Sequence, residues 1–272
     1  MRDWGTARLR SKLLRKSALA ALTCLLLGGP APAAEQKPDI LLKAKYTEVA
    51  VSFDNEIKTD APLLKHLTAA GKTWASKTLK ELVEQRKDMN DLPADIRNRP
   101  WSSERGYVQS TLIANRYASI VRSEFSYTGG AHPNHGSDTL LWDKHAGKMI
   151  SIRPFFTELA DGGPAMTAIR NAVVADLKVE KKKRDSDNPD MSLVDALEPK
   201  LLKIGPVSLT PSTSAGKSSG LTFHYSPYAV GAYAEGDYTA FVPWQTLKPY
   251  LSAEGTAIFG GARPPDESDK PK

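Results

Sequence analysis

Tyr117-Ala118-Ser119-Ile120-Val121-Arg122-Ser123-Glu124-Phe125-Ser126-Tyr127, followed by Thr128-Gly129-Gly130-Ala131-His132, is the stretch that decides how this chain is read. Tyr117, Ser119, Val121, Ser123, Phe125 and Tyr127 alternate with Ala118, Ile120, Arg122, Glu124 and Ser126, and a period of two predicts a β-strand. The glycine pair permits positive φ and a sharp turn. His132, Pro133, Asn134 and His135 then fill a loop before a second predicted strand at 139–143. Two readings follow: a hairpin with a demanding connection, or a ligand-contacting loop held on a rigid sheet.

Working outward, Val49, Val51 and Phe53 alternate with polar or small residues and predict an earlier strand. From 61 to 87, Leu63, Leu67, Ala70, Trp74, Leu79, Leu82 and Val83 follow helical spacing, with Asp60 or Thr59 as cap and Pro62 in the first turn. Residues 88–104 hold Pro93, Pro100 and many charges, and read as a loop. Further strands are predicted at 107–114, 149–152, 207–209, 221–225 and 238–242. A helix from 164 to about 183 puts Met166, Ile169, Val173 and Leu177 on one face. Its terminal Lys181-Lys182-Lys183-Arg184 complements the negative end of the helix dipole. Short helices are expected near 193–197 and 243–251. Mixed strands and helices joined by hairpins predict an α+β fold, with a largely antiparallel sheet, packed helices and two intertwined halves.

The N-terminus carries an export signal by composition. Arg2, Arg8, Arg10, Lys12, Arg15 and Lys16 precede the apolar run 18–27, and Ala31-Pro32-Ala33 supplies small residues for cleavage. No twin-arginine pair is present, so the general secretory route is expected. The apolar run is short for a membrane span. Removing residues 1–33 takes away six Lys/Arg and one Asp, so the net charge falls from +6 to +1. A near-neutral mature chain gives no support for nucleic-acid binding. Cys24 is the single cysteine and lies in the leader, which excludes disulfides, thiolate catalysis and cysteine-based metal sites from the rest.

His132, His135, Asp138 and His145 fall within fourteen positions, and imidazole with carboxylate is metal-ligand chemistry. The spacing lacks the His-Glu-x-x-His of helical zinc sites, so no metal is assigned. Gly216-Lys217-Ser218 resembles the end of a phosphate-binding loop, but Pro211 occupies the place of its first glycine. No cofactor and no catalytic residue are assigned. A second cluster, Phe223, Tyr225, Tyr228, Tyr233 and Tyr238, offers rings with polar tips suited to sugar faces or protein surfaces. The same rings could equally pack into the core and fix the 226–236 loop.

The run Tyr127-Thr128-Gly129-Gly130-Ala131-His132 resembles the signature of the RsiV-like family. Leu141-Trp142-Asp143, Gly147-Lys148, Ile150-Ser151-Ile152 and Phe155-Phe156 follow in that family's order. The segment from Leu221-Thr222-Phe223-His224-Tyr225 to Ala232-Tyr233-Ala234-Glu235-Gly236 is similar to its C-terminal motif. Members include an anti-sigma regulator that is a lysozyme receptor, and the companion module of the peptidoglycan deacetylase PdaC. The deacetylase's own Asp-Asp pair and His-x-x-x-His are absent from this chain.

Composition sets a signal peptide at 1–33 and a disordered tail at 254–272, rich in Pro, Asp and Lys from Arg263; between them the resemblance implies a PdaC-like half at 34–135 and an RsiV-like half at 136–253. It implies a non-enzymatic cell-envelope module, periplasmic or extracellular, whose partner is a cell-wall glycan or a lysozyme-like protein. The chain lacks the receptor's membrane span and cytoplasmic segment, so direct anti-sigma signalling is not expected. The candidate ligand-binding residues are Tyr127, Gly129, Gly130, His132, Tyr228 and Tyr233, on two loops at strand ends that are expected to neighbour each other and form one site. A small envelope hydrolase acting on peptidoglycan through scattered carboxylates is the alternative.

Overall fold

A computed structural model describes residues 37–184 and 190–265. The expected leader at 1–33, with Cys24, and the last seven residues of the expected tail lie outside the described residues. The stretch 117–127 is a strand, β4 (Tyr117–Tyr127), paired antiparallel with β3 (Trp101–Ile113) and β5 (Asn134–Asp143). β1 (Ile40–Ala44), β2 (Thr47–Phe53) and β6 (Lys148–Ile150) complete a six-stranded sheet in the order β1-β2-β3-β4-β5-β6. Every pairing is antiparallel except β2 with β3. A parallel pair needs a crossover. That crossover is α1 (Asn55–Thr59), α2 (Ala61–Gln85) and α3 (Ala94–Arg97).

The long helix α2 starts where Asp60 accepts the Leu63 N–H at 3.2 Å, with Pro62 in the first turn. It lays Leu63, Leu67, Ala75 and Leu82 against Val49, Val51 and Phe53 of β2, all buried. Gly71 sits inside that contact. A Cβ there would stand 3.2 Å from Val51 Cγ1 and 3.3 Å from Ile40 Cδ1, so the glycine lets the helix approach the sheet closely. Residues 88–104, expected to be irregular, contain α3 and the first residues of β3, because Trp101 buries itself against this core.

A second core lies on the other side of the sheet. β7 (Val207–Thr210), β8 (Gly220–Tyr225) and β9 (Tyr238–Pro243) form an antiparallel three-stranded sheet. α4 (Pro164–Arg184) covers it with Met166, Ile169, Val173 and Leu177, which pack with Leu221, Phe223 and Ala240. Short helices α5 (Ser192–Asp195), α6 (Trp244–Leu247) and α7 (Ala253–Ile258) close the ends. The architecture is α+β with largely antiparallel sheets.

The two sheets meet through hydroxyl groups. β7 is an edge strand, and edge N–H groups need acceptors when buried. Ser119 Oγ on β4 accepts from Leu209 N and Thr139 Oγ1 on β5 accepts from Val207 N, each at 2.8 Å. The polar members of the β4 and β5 alternation therefore serve as the joint between sheets. Among the described residues, no helix is long and apolar enough to cross a membrane.

Candidate functional site

The β4–β5 connection begins at Tyr127, which pairs with Ser102 at the end of β4. Gly129 has φ +82°, in the left-handed region that disfavours a side chain. A Cβ on it would also lie 3.3 Å from Trp101 Nε1. The first glycine is therefore required by its backbone and by the indole beneath it. Gly130 faces open space, with nothing near an added Cβ. His132 is exposed beyond the pair, and its Nδ1 lies 3.0 Å from the Pro133 carbonyl.

The second expected loop joins β8 to β9. Tyr228 occupies the left-handed region at φ +70° and is 61% exposed. Tyr233 opens a single 3-10 turn, Tyr233–Glu235. Glu235 anchors that turn. Its carboxylate accepts from Ala232 N, the Tyr238 hydroxyl and Lys181 Nζ, each at 2.6 Å. Burial alone would raise this carboxyl, but the Lys181, Tyr238 and backbone hydrogen bonds outweigh it and bring it down to about 2. Arg184 adds a hydrogen bond to the Glu235 carbonyl at 2.7 Å and stacks on the Tyr238 ring at 3.9 Å. The basic end of α4 is thus more than a solvated complement to the helix dipole. Lys181 is buried and fastens the loop.

The two loops come together, although they are about one hundred residues apart. Tyr233 and His132 stack with ring centres 4.1 Å apart and planes inclined by 28°. The Tyr233 hydroxyl donates to the Pro133 carbonyl at 2.6 Å. Tyr228 lies 5.6 Å and His135 5.9 Å from the Tyr233 ring. His135 Nε2 is 3.3 Å from Asp237 Oδ1, and Ser226 Oγ accepts from Ser137 N at 2.7 Å. His135 also lines a cavity of about 310 Å³ with Trp74, Thr78, Glu124, Phe125 and Asn134. The arrangement is a patch of rings with hydrogen-bonding tips beside a hollow, held on a sheet end. The remaining aromatics of the cluster, Phe223, Tyr225 and Tyr238, are core residues.

The four candidate ligands of the histidine-rich stretch do not converge. His132 and His135 flank Tyr233, Asp138 bonds Arg122 at 2.5 Å, and His145 sits in the β5–β6 turn. No cluster of three His, Cys, Asp or Glu suited to a metal occurs among the described residues.

Two serine arrangements go beyond the sequence reading, which takes Gly216-Lys217-Ser218 only as the end of a phosphate-binding loop and finds no nucleophile elbow. Gly216-Lys217-Ser218-Ser219-Gly220 spells the Gly-x-Ser-x-Gly of a nucleophile elbow. That elbow needs an exposed serine between a strand and a helix. Ser218 is fully buried ahead of β8, where its Oγ donates within reach of the Thr210 and Gly220 carbonyls and accepts from Thr210 N. It holds backbone. Ser208 Oγ and His224 Nε2 are 2.8 Å apart across β7 and β8, and burial pushes the His224 imidazole below its usual range. Only the pairing register of two strands brings these residues together.

A family model described as a protein of unknown function (DUF3298) matches residues 159–245, from the loop ahead of α4 into α6. The Tyr127–His132 motif lies outside the matched segment. Two solved structures match the chain. A member of the DUF3298 family from Bacteroides fragilis is 16% identical, with 76% of this chain and 85% of that chain covered and a TM-score of 0.45. A DUF3298 family protein from Pseudomonas aeruginosa is 15% identical, with 81% and 93% covered and a TM-score of 0.45. No curated protein matches the chain.

Proposed function

We propose that this chain is an exported, non-enzymatic recognition module of the cell envelope, whose ligand is a cell-wall glycan or an envelope protein such as a lysozyme-like enzyme. The observation that carries the reading is the junction of His132, Tyr233, Tyr228 and His135, with their ring centres within 4.1 to 5.9 Å of Tyr233. Such rings present apolar faces and polar tips, the combination used for sugars and for protein surfaces. Each proposed half, 34–135 and 136–253, contributes one loop to the patch. Export rests on the basic, apolar and small-residue order of residues 2–33, and the envelope target on the resemblance to RsiV-like domains.

The hydrolase alternative is favoured by one observation, the 2.8 Å contact between Ser208 Oγ and His224 Nε2, although Ser208 is only 4% exposed and would need local opening to meet a substrate. Incubation with insoluble peptidoglycan separates the readings. Retention on the pellet without release of muropeptides supports recognition. Release that is abolished by Ser208→Ala supports the hydrolase, and neither retention nor release defeats both.

A further inference from the structure

A different cavity, of about 420 Å³, lies between the β1–β2 turn, the C-terminal end of α2 and α3. Lys45, Arg86, Lys87 and Arg97 line it, and no carboxylate does. Lys87 is answered by Glu84 at 2.7 Å. Lys45, Arg86 and Arg97 have no carboxylate within ion-pair distance among the described residues. Three uncompensated cations around one hollow stand out in a chain whose charge beyond residue 33 nearly balances.

Backbone groups hold the guanidiniums without neutralising them. Arg86 donates to the Arg97 carbonyl and, at 3.1 Å, to that of Arg99. Arg97 donates to the Asn90 carbonyl at 3.0 Å. Arg86 also lies 4.9 Å from the Trp101 ring and 5.5 Å from that of Tyr46, and Lys45 Nζ lies 5.2 Å from the Tyr46 ring. Tyr46 is held at φ +57° and is 39% exposed. A large side chain in that region is strained, and such strain gathers at ligand clamps. The dipole of α2 accounts for Arg86 and Lys87, which lie just past its C-terminus. It does not account for Lys45 and Arg97, which come from other elements.

We propose that this cavity binds a phosphate-bearing molecule. A phosphate offers several acceptors and up to two charges to guanidinium forks and an ammonium. Tyr46 and Val83 give the body that carries the phosphate an apolar wall, and Asn90 and Asn98 add polar groups. A free phosphorylated small molecule and a phospholipid headgroup present the same chemistry.

Calorimetric titration of the full chain with inorganic pyrophosphate, and co-sedimentation with phosphatidylglycerol vesicles against phosphatidylcholine vesicles, test the proposal. Saturable binding is expected, weakened about 10-fold by Lys45→Gln and by Arg97→Gln, as loss of a charge-assisted contact implies. Lys148→Gln, on β6, should leave it unchanged. Pyrophosphate binding without vesicle retention identifies a free ligand, and selective vesicle retention identifies a headgroup. Arg97→Gln can loosen the loop it bonds, so Lys45→Gln, in an exposed turn, decides. No saturable binding of either probe, or binding indifferent to Lys45→Gln, overturns the site.

Discussion

Lys181 Nζ lies 2.6 Å from Glu235 Oε2, with the lysine side chain only 1% exposed. This pair ties the loop that bears Tyr233 to the last turn of α4. Glu235→Gln would leave Lys181 buried without a counter-charge. Removing one partner of a buried pair costs about 3–5 kcal/mol, and the partial exposure of Glu235 points to the lower end. Glu180→Gln, on the surface pairs with Lys183 and Arg184, should cost less than about 1 kcal/mol. Urea denaturation compares the two, and equal losses would remove Lys181–Glu235 as the latch.

The same carboxylate sets an acid limit. Its folded pKa of about 2 lies below the ordinary 4.5, so the stabilisation is complete above pH 4.5 and is lost as pH falls from there towards 2. Asp143, held at about 2 chiefly by its Arg116 hydrogen bond, loses its share below its ordinary 3.8. At the alkaline end, burial first and then the Glu235 hydrogen bond push the Tyr238 hydroxyl from 10 up to about 12. The unfolded chain then releases that proton first, and stability falls between pH 10 and 12. Denaturation midpoints across pH should show both losses, with the acid slope shallower in Glu235→Gln. An unchanged acid slope in that variant would contradict the assignment.

Much of this arrangement is legible in residue periodicity. The bounds of β4 follow from strict alternation, and α2 and α4 from apolar spacing. β1 was missed because Ile40-Leu41-Leu42-Lys43-Ala44 is an edge strand with no fully buried residue, and its residue types do not alternate although its exposure does. α7 was missed because six residues carry too few apolar positions for a helical period. Lys181 is instructive: it falls four residues after the buried Leu177, on the apolar stripe of α4. Spacing therefore sets Lys181, and Arg184 a turn further on, apart from Lys182 and Lys183, although composition does not. That the two loops neighbour each other is expected from their places at strand ends, but the stacking of His132 on Tyr233 depends on how two sheets pack, and no local pattern encodes that.

The glycine pair should split in its tolerance of alanine. Gly129→Ala forces a side chain into the left-handed region and towards Trp101, at a cost of about 1–2 kcal/mol. Gly130→Ala meets nothing and has no left-handed φ, so it should stay within about 0.5 kcal/mol of the parent. Thermal melts of both variants check this. A larger loss at Gly130 would mean the loop is built differently.

The sheet-to-sheet joint is testable at Ser119, which is 1% exposed. Ser119→Ala leaves the Leu209 N–H buried without its acceptor, worth about 1–3 kcal/mol. Hydrogen exchange at the Leu209 amide should accelerate in step with that loss. A fully protected amide in the variant would show that the hydroxyl is dispensable.

Tyr228 and Tyr233 differ in what they do for the fold, and that difference makes the binding proposal measurable. Tyr228 is mostly exposed and touches Tyr233 only at ring distance, so Tyr228→Ala should change stability by less than about 0.5 kcal/mol. Tyr233 stacks on His132 and bonds the Pro133 carbonyl, so Tyr233→Phe should cost about 1 kcal/mol through that hydrogen bond. If the patch recognises an envelope ligand, Tyr228→Ala should weaken retention on peptidoglycan by about 1–3 kcal/mol while the melt is unchanged. Tyr233→Ala should weaken it at least as much, with a measurable loss of stability. The informative variant is therefore Tyr228→Ala. Full retention by a folded Tyr228→Ala protein would remove the exposed ring from the site and leave Tyr233 as a loop fastener.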